Sequence, residues 1–147
     1  MSALIVTITD TDELAQAIDR YLRTLLKDHV DVCYMTYENS RLSGQLVRQA
    51  DMFLLELFRR DAFGYRAEGL YVAERFATNN KRVLLFSGDI KAGQVESEYY
   101  WDLASLDSLF LRVERLLAAP RPVAARFGDI AGIFNEFCRP ALDSHHH

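Results

Sequence analysis

The 147-residue chain has the length of one domain, and its balance of 50% hydrophobic to 26% charged residues is that of a globular protein that buries a full core. A formal charge of −4 argues against nucleic acid as a direct partner, since phosphate binding wants a basic face. No apolar run approaches the roughly 20 residues that span a bilayer, and no signal-peptide pattern opens the chain, so a cytoplasmic protein is expected.

Leu4 to Thr9 is a β-branched run and reads as the first strand. Thr11 or Asp12 then caps a helix running to Lys27, with Leu14, Ala17, Ile18, Tyr21, Leu22 and Leu25 as its apolar stripe. Val30 to Thr36 alternates as a second strand, and Ser40 to Gln49 reads as a short polar helix carrying Leu42, Leu46 and Val47. Asp51 to Leu57 is an almost unbroken apolar run, the mark of a strand covered on both faces, and Ala67 to Thr78 is the helix after it. Arg82 to Ser87 makes a fourth strand, Glu98 to Trp101 a weaker fifth, and Ser105 to Ala118 a long last helix. Strands alternating with helices imply an α/β fold, a five-stranded parallel sheet in a three-layer sandwich.

Pro120-Arg121-Pro122 then breaks the chain. Beyond it Phe127, Ile130, Phe134 and Phe137 recur at helical spacing and predict an amphipathic helix within residues 120–142. Its apolar stripe needs cover. The stiff Pro linker favours pairing with a second copy, a homodimer, over docking on the chain's own body. His145, His146 and His147 read as the remnant of an affinity tag within 143–147, which leaves His29 as the native histidine. Cys33 and Cys138 stand far apart without metal-ligand company and read as free, buried thiols. No cofactor is implied.

The segments ADMFLLEL (50–57), RVLLFSG (82–88) and TDTDELAQAIDRYL (9–22) together resemble the receiver domain of bacterial two-component response regulators, over roughly Ala3 to Ala118. The resemblance makes residues 1–119 the receiver-like unit. It implies a phosphorylation site at the carboxyl ends of the strands, where open α/β sheets collect their chemistry. Carried over residue by residue, that site is degenerate. The two acids that would hold Mg²⁺ read Thr9 and Asp10, and the phosphoacceptor aspartate reads Glu56, one methylene longer. The switch hydroxyl is kept as Ser87, and no lysine follows the fifth strand, where Tyr99-Tyr100-Trp101-Asp102-Leu103 stands. Asp10 and Glu56 are what remains of a metal set, and Mg²⁺ demands near-ideal octahedral geometry. The resemblance thus implies a pseudo-receiver that is not an enzyme and acts through a protein partner in signalling.

Two spacings depart from the family. The segment after Glu56 is long and carries Arg59, Arg60, Asp61 and Arg66, with Arg59 or Arg60 the available counter-charge for Glu56. Between Ser87 and Tyr99 there is too little chain for a full fourth helix, so the partner surface is expected to be rebuilt. Tyr99, Tyr100 and Trp101 read first as core and rim of the fifth strand, with Tyr100 and Trp101 as candidate interaction residues in the alternative, since aromatic side chains concentrate at interfaces.

A competing resemblance joins Asp10 and Asp12 to the first motif of haloacid-dehalogenase-type phosphatases, with Ser87 and Lys91 as later phosphate ligands. Against it, Asp12 caps a helix at once and leaves no room for the flap of such enzymes. A flavodoxin-like phosphate loop is disfavoured because the carboxylates of Asp10 and Asp12 would repel the anion.

Overall fold

A computed structural model describes residues 3–26, 30–42, 44–61, 64–66, 68–88, 99–103 and 105–118, with backbone alone at 41–42, 59–61, 64–66 and 68. In chain order these residues form β1 (Ala3–Ile8), α1 (Asp12–Leu26), β2 (Val30–Met35), α2 (Tyr37–Leu42), α3 (Gly44–Gln49), β3 (Met52–Glu56), β4 (Arg59–Asp61), β5 (Gly64–Arg66), α4 (Glu68–Thr78), β6 (Arg82–Phe86), β7 (Tyr100–Trp101) and α5 (Leu106–Ala118).

The main sheet is parallel throughout, in the order β2-β1-β3-β6-β7. This is the doubly wound arrangement in which the winding reverses beside β1, between β2 and β3. Right-handed crossovers place α1 on one face and α2, α3 and α4 on the other. Contact between α1 and α5 puts α5 on the α1 face. The three central strands are apolar on both sides because both sides are covered: Ile5, Val6, Ile8, Phe53, Leu54, Leu55, Leu84, Leu85 and Phe86 are all fully buried. Phe53 stacks on Phe76 of α4 with ring centroids 4.0 Å apart, which fixes α4 against β3. The expected α/β sandwich is therefore present.

Three local features differ from expectation. The α1 stripe is Ala15, Ile18 and Leu22, flanked by Leu14, Tyr21 and Leu26, whereas Ala17 and Leu25 face solvent. That set keeps the 3.6-residue period, so one face serves the sheet and the misassigned pair falls beside it. The helix expected from Ser40 to Gln49 is two short ones, and the first starts earlier, at Tyr37, which is buried. Thr36 caps it, its Oγ1 accepting the Asn39 N–H at 3.1 Å. Thirdly, Arg59–Asp61 and Gly64–Arg66, expected as a loop, pair as a small antiparallel sheet.

Helix ends are closed by local chemistry. α4 ends on Asn80 in the left-handed region (φ 63°), with Lys81 N–H on the Phe76 carbonyl and Asn80 N–H on that of Ala77. This is the Schellman closure, with asparagine in the place usually held by glycine. At the start of α5, Ser105 Oγ accepts the Ser108 N–H at 3.1 Å. Cys33 is free and only partly buried, and burial pushes its thiol pKa up.

α1 and α5 are joined by the Tyr21 hydroxyl, which donates to the Asp107 carboxylate. That hydrogen bond, then burial and the carboxylate's charge, raises the Tyr21 phenol from 10.0 to about 12. Because the folded value lies above the unfolded one, the contribution is complete below pH 10 and is lost as pH rises from 10 to about 12. Difference titration near 295 nm should show one phenol of the wild type ionising later than in Asp107→Asn. Superimposable curves would remove the contact.

Candidate functional site

The strand register brings the predicted positions together. Ile8 pairs with Leu55 and Glu56 with Phe86, so Thr9, Glu56 and Ser87 end three neighbouring strands at the carboxyl edge. The β1/β3 side of this edge borders the reversal of winding, where such sheets bind ligands. Sequence reading placed these residues correctly along their strands; what each one does at the edge is set by its neighbours.

Thr9 is a structural residue here. It is 2% exposed, its N–H donates to the Met35 carbonyl at 3.1 Å, and its Oγ1 accepts the Thr11 N–H at 3.0 Å. That side-chain turn steers the backbone into α1, whose first turn carries Asp12 and Glu13 at the positive end of the helix dipole. Asp12 Oδ2 accepts Gln16 Nε2–H at 2.8 Å, one helical turn on.

Asp10 Oδ1 accepts the backbone N–H of Tyr37 at 3.1 Å, so this carboxylate closes the first turn of α2. The same Tyr37 turns inward, is 1% exposed, and donates its hydroxyl to the Glu56 carbonyl at 2.6 Å. One buried tyrosine thus ties the Asp10 side chain to the Glu56 backbone. Tyr37 and its cap were not anticipated. Tyr37 falls between the predicted strand ending at Thr36 and the predicted helix starting at Ser40. Beside Asp10, a cleft of about 230 Å³ opens between the ends of β1 and β2, lined by Asp12, Tyr34, Thr36 and Asn39 among others.

A divalent cation does not fit this donor set. Hard cations take several oxygen ligands at fixed geometry. Here the second acid is a buried threonine hydroxyl engaged with Thr11, Asp10 is hydrogen-bonded to Tyr37, and no group of three or more His, Cys, Asp or Glu converges among the described residues.

Glu56 itself is half-buried, and its backbone is fixed by its surroundings. Leu57 N–H donates to the Phe86 carbonyl at 2.7 Å, and Gly69 N–H to the Leu57 carbonyl at 3.2 Å. α4 therefore starts directly on the Glu56–Leu57 peptide, and Gly69 has no room for a side chain. The backbones of Arg59 and Arg60 lie in β4, close in sequence to Glu56; the placing of their side chains falls outside what the structure describes.

Ser87 is 2% exposed, its N–H donating to the Trp101 carbonyl at 3.2 Å and its own carbonyl accepting the Tyr100 hydroxyl at 3.1 Å. Tyr100 and Trp101 are 1% and 2% exposed and belong to the core, as the first of their two readings expects; the alternative role of partner anchors is corrected. The reason is that β7 is the edge strand, and both side chains are consumed in fastening it. Trp101 packs on Phe86 and its indole N–H donates to the Ser105 carbonyl at 3.1 Å and Ser108 Oγ at 3.0 Å, joining β7 to α5. Leu103 follows with φ 63°, an uncommon conformation for leucine, and its Cδ1 lies 3.5 Å from where a Cβ on Gly88 would stand.

Phe127, Ile130, Phe134, Phe137 and Lys91 lie outside the described residues, as do Cys138, the Ser87–Tyr99 connection beyond Gly88 and the proposed 120–142 helix. No described helix is long and apolar enough to cross a membrane.

Removing the Tyr37 hydroxyl while keeping its ring should cost about 1 kcal/mol, the usual net worth of such a bond. Urea unfolding of Tyr37→Phe measures it, and an unchanged midpoint would mean that the bond to Glu56 contributes nothing.

No protein-family model matches the chain, and no curated protein matches it. Among solved structures it is similar to the crystal structure of a response regulator from Thermotoga maritima, with a TM-score of 0.60 at 14% identity, over 81% of this chain and 100% of that one. The likeness establishes a receiver-like fold.

Proposed function

We propose that this chain is a signalling domain of receiver type that works without phosphorylation, by binding another protein. The observation that carries this reading is the Asp10–Tyr37–Glu56 connection. In a phosphorylated receiver the acid after the first strand serves Mg²⁺; here that carboxylate caps α2, and its neighbour is a buried threonine. Glu56 carries its carboxylate one methylene further out than an aspartate would, and a tyrosine hydroxyl pins its carbonyl. These bonds brace the edge around Asp10 and Glu56, which supports the reading. Binding to a partner then rests on surface shape and charge that are permanently set.

Exposure to a small acyl-phosphate donor with Mg²⁺ should leave the protein's intact mass and tryptophan fluorescence unchanged. A phosphoryl group found on Glu56 or Asp10 overturns the reading. Hydrolysis of a phosphate ester that Asp10→Asn abolishes would instead make the chain a phosphatase of the Asp10/Asp12 kind. Glu56→Gln should alter stability by no more than about 1 kcal/mol, the range of partly exposed charge pairs, and a larger loss in urea would make Glu56 a buried electrostatic element instead.

A further inference from the structure

On the face away from α1 and α5, a groove of about 660 Å³ opens between α3 and α4 at the amino edge of the sheet. Its apolar part is the half-buried Val47 over the floor made by Phe76, which is 4% exposed; its charged residues are Arg48, Arg75 and Lys81. No described lining residue is acidic, in a chain whose formal charge is −4. Lys81 is occupied, donating to the carbonyls of Arg48 at 2.6 Å and Ala50 at 2.7 Å, which closes the end of α3. Arg48 and Arg75 are exposed, and among the described residues neither guanidinium has an acidic partner; Arg75 lies over the Phe76 ring at 5.6 Å. Basic residues in a last helical turn suit the dipole on their own, but that does not call for an apolar trough between them.

The chain contains a segment of the opposite character. From Phe127 to Phe137 the sequence is FGDIAGIFNEF, with Asp129 and Glu136 as its charges and Phe127, Ile130, Phe134 and Phe137 at helical spacing. An apolar stripe of that size facing water would be a liability of roughly 1.5–3 kcal/mol per side chain. The last described residue of α5, Ala118, lies on the helix that returns from β7 towards the amino edge, where the groove opens. Residues 119–126 reach at most about 3.3–3.6 Å each when extended. That spans the roughly 20 Å of one sheet and one helix layer between the two faces.

We propose that the α3–α4 groove is the docking site of the chain's own residues 127–137, with the apolar stripe on Val47 and Phe76 and the carboxylates of Asp129 and Glu136 towards Arg48 and Arg75. Bound in this way, the segment would compete for the groove with any other acidic, amphipathic segment.

The native Cys138, next to Phe137, provides the test in the full chain. In a Cys33→Ser background, a thiol is introduced on the groove by Ser40→Cys or Gly44→Cys, or on the exposed opposite face by Leu111→Cys. Mild oxidation at low protein concentration is followed by mass spectrometry of the cross-links. The expected result is an intramolecular link to Cys138 from at least one groove position, several-fold above that from position 111. The yield should fall several-fold in the Arg48→Glu/Arg75→Glu double variant, and also with rising salt in the unreversed chain. Equal yields from both faces, or a groove yield indifferent to charge reversal and salt, overturn the proposal. Links found in covalent dimers alone overturn it too, and assign the groove to the tail of a second copy.

Discussion

Gly69→Ala is expected to destabilise the fold by about 3 kcal/mol, the upper part of the range for forcing atoms into a packed site. A Cβ at position 69 would stand 2.2 Å from the Glu56 carbonyl oxygen and 2.9 Å from Leu57 Cα. All the atoms it meets are backbone, so no rotamer change relieves the clash, and α4 must move off β3. Helix propensity alone gives the opposite sign, since alanine is favoured over glycine by about 1 kcal/mol inside a helix. The two effects therefore separate cleanly. Gly44→Ala is the control, because its Cβ would meet Arg48 Nη1 at an ordinary 3.6 Å. It should be neutral or stabilising by up to about 1 kcal/mol. At roughly 2–4 °C per kcal/mol for a chain of this size, Gly69→Ala should melt about 10 °C lower. A variant as stable as wild type would mean that α4 does not sit on the Glu56–Leu57 peptide, and the account of how Glu56 is held would fall with it.

The frame of the fold was legible because it rests on patterns with few physical solutions. Apolar runs at 52–55 and 83–86 are best satisfied between two helical layers, and the alternation with helices then leaves a parallel sheet. The positions of Thr9, Glu56 and Ser87 follow, since each ends a strand whose register is set by the core. What escaped was local. β4 and β5 are three residues each, too short for a period-2 signal, and their charged residues read as a loop. The start of α2 at Tyr37 was hidden because its cap is supplied partly from another loop, by Asp10, and no window of contiguous sequence contains that bond. The end of α4 at Thr78, by contrast, was legible, since Asn79 and Asn80 make a stop signal directly after it. At the site, the residue types mark which positions depart from the receiver pattern but not what each side chain touches. The link from Asp10 through Tyr37 to Glu56 is tertiary, and no local sequence pattern contains it.

Trp101 shows the same limit from the other side, because composition enriches tryptophan both at interfaces and in cores. The structure gives it two fastening roles at once: its ring fills space against Phe86 at a centroid distance of 6.0 Å, and its N–H binds the first turn of α5. Trp101→Ala should therefore cost about 3–5 kcal/mol through the cavity it leaves. Trp101→Phe keeps most of the apolar volume and should lose only about 1–2 kcal/mol, from the missing N–H and the acceptors left behind. Ser108→Ala removes one of the two acceptors while the Ser105 carbonyl remains, so its effect should be smaller than that of Trp101→Phe. Equilibrium unfolding in urea orders the three variants. A tryptophan placed for a partner would behave otherwise, since surface substitutions generally stay within about 0.5 kcal/mol. If Trp101→Ala unfolds at the wild-type midpoint, β7 is not fastened to α5 through this side chain, and the interface role becomes the better account of Trp101.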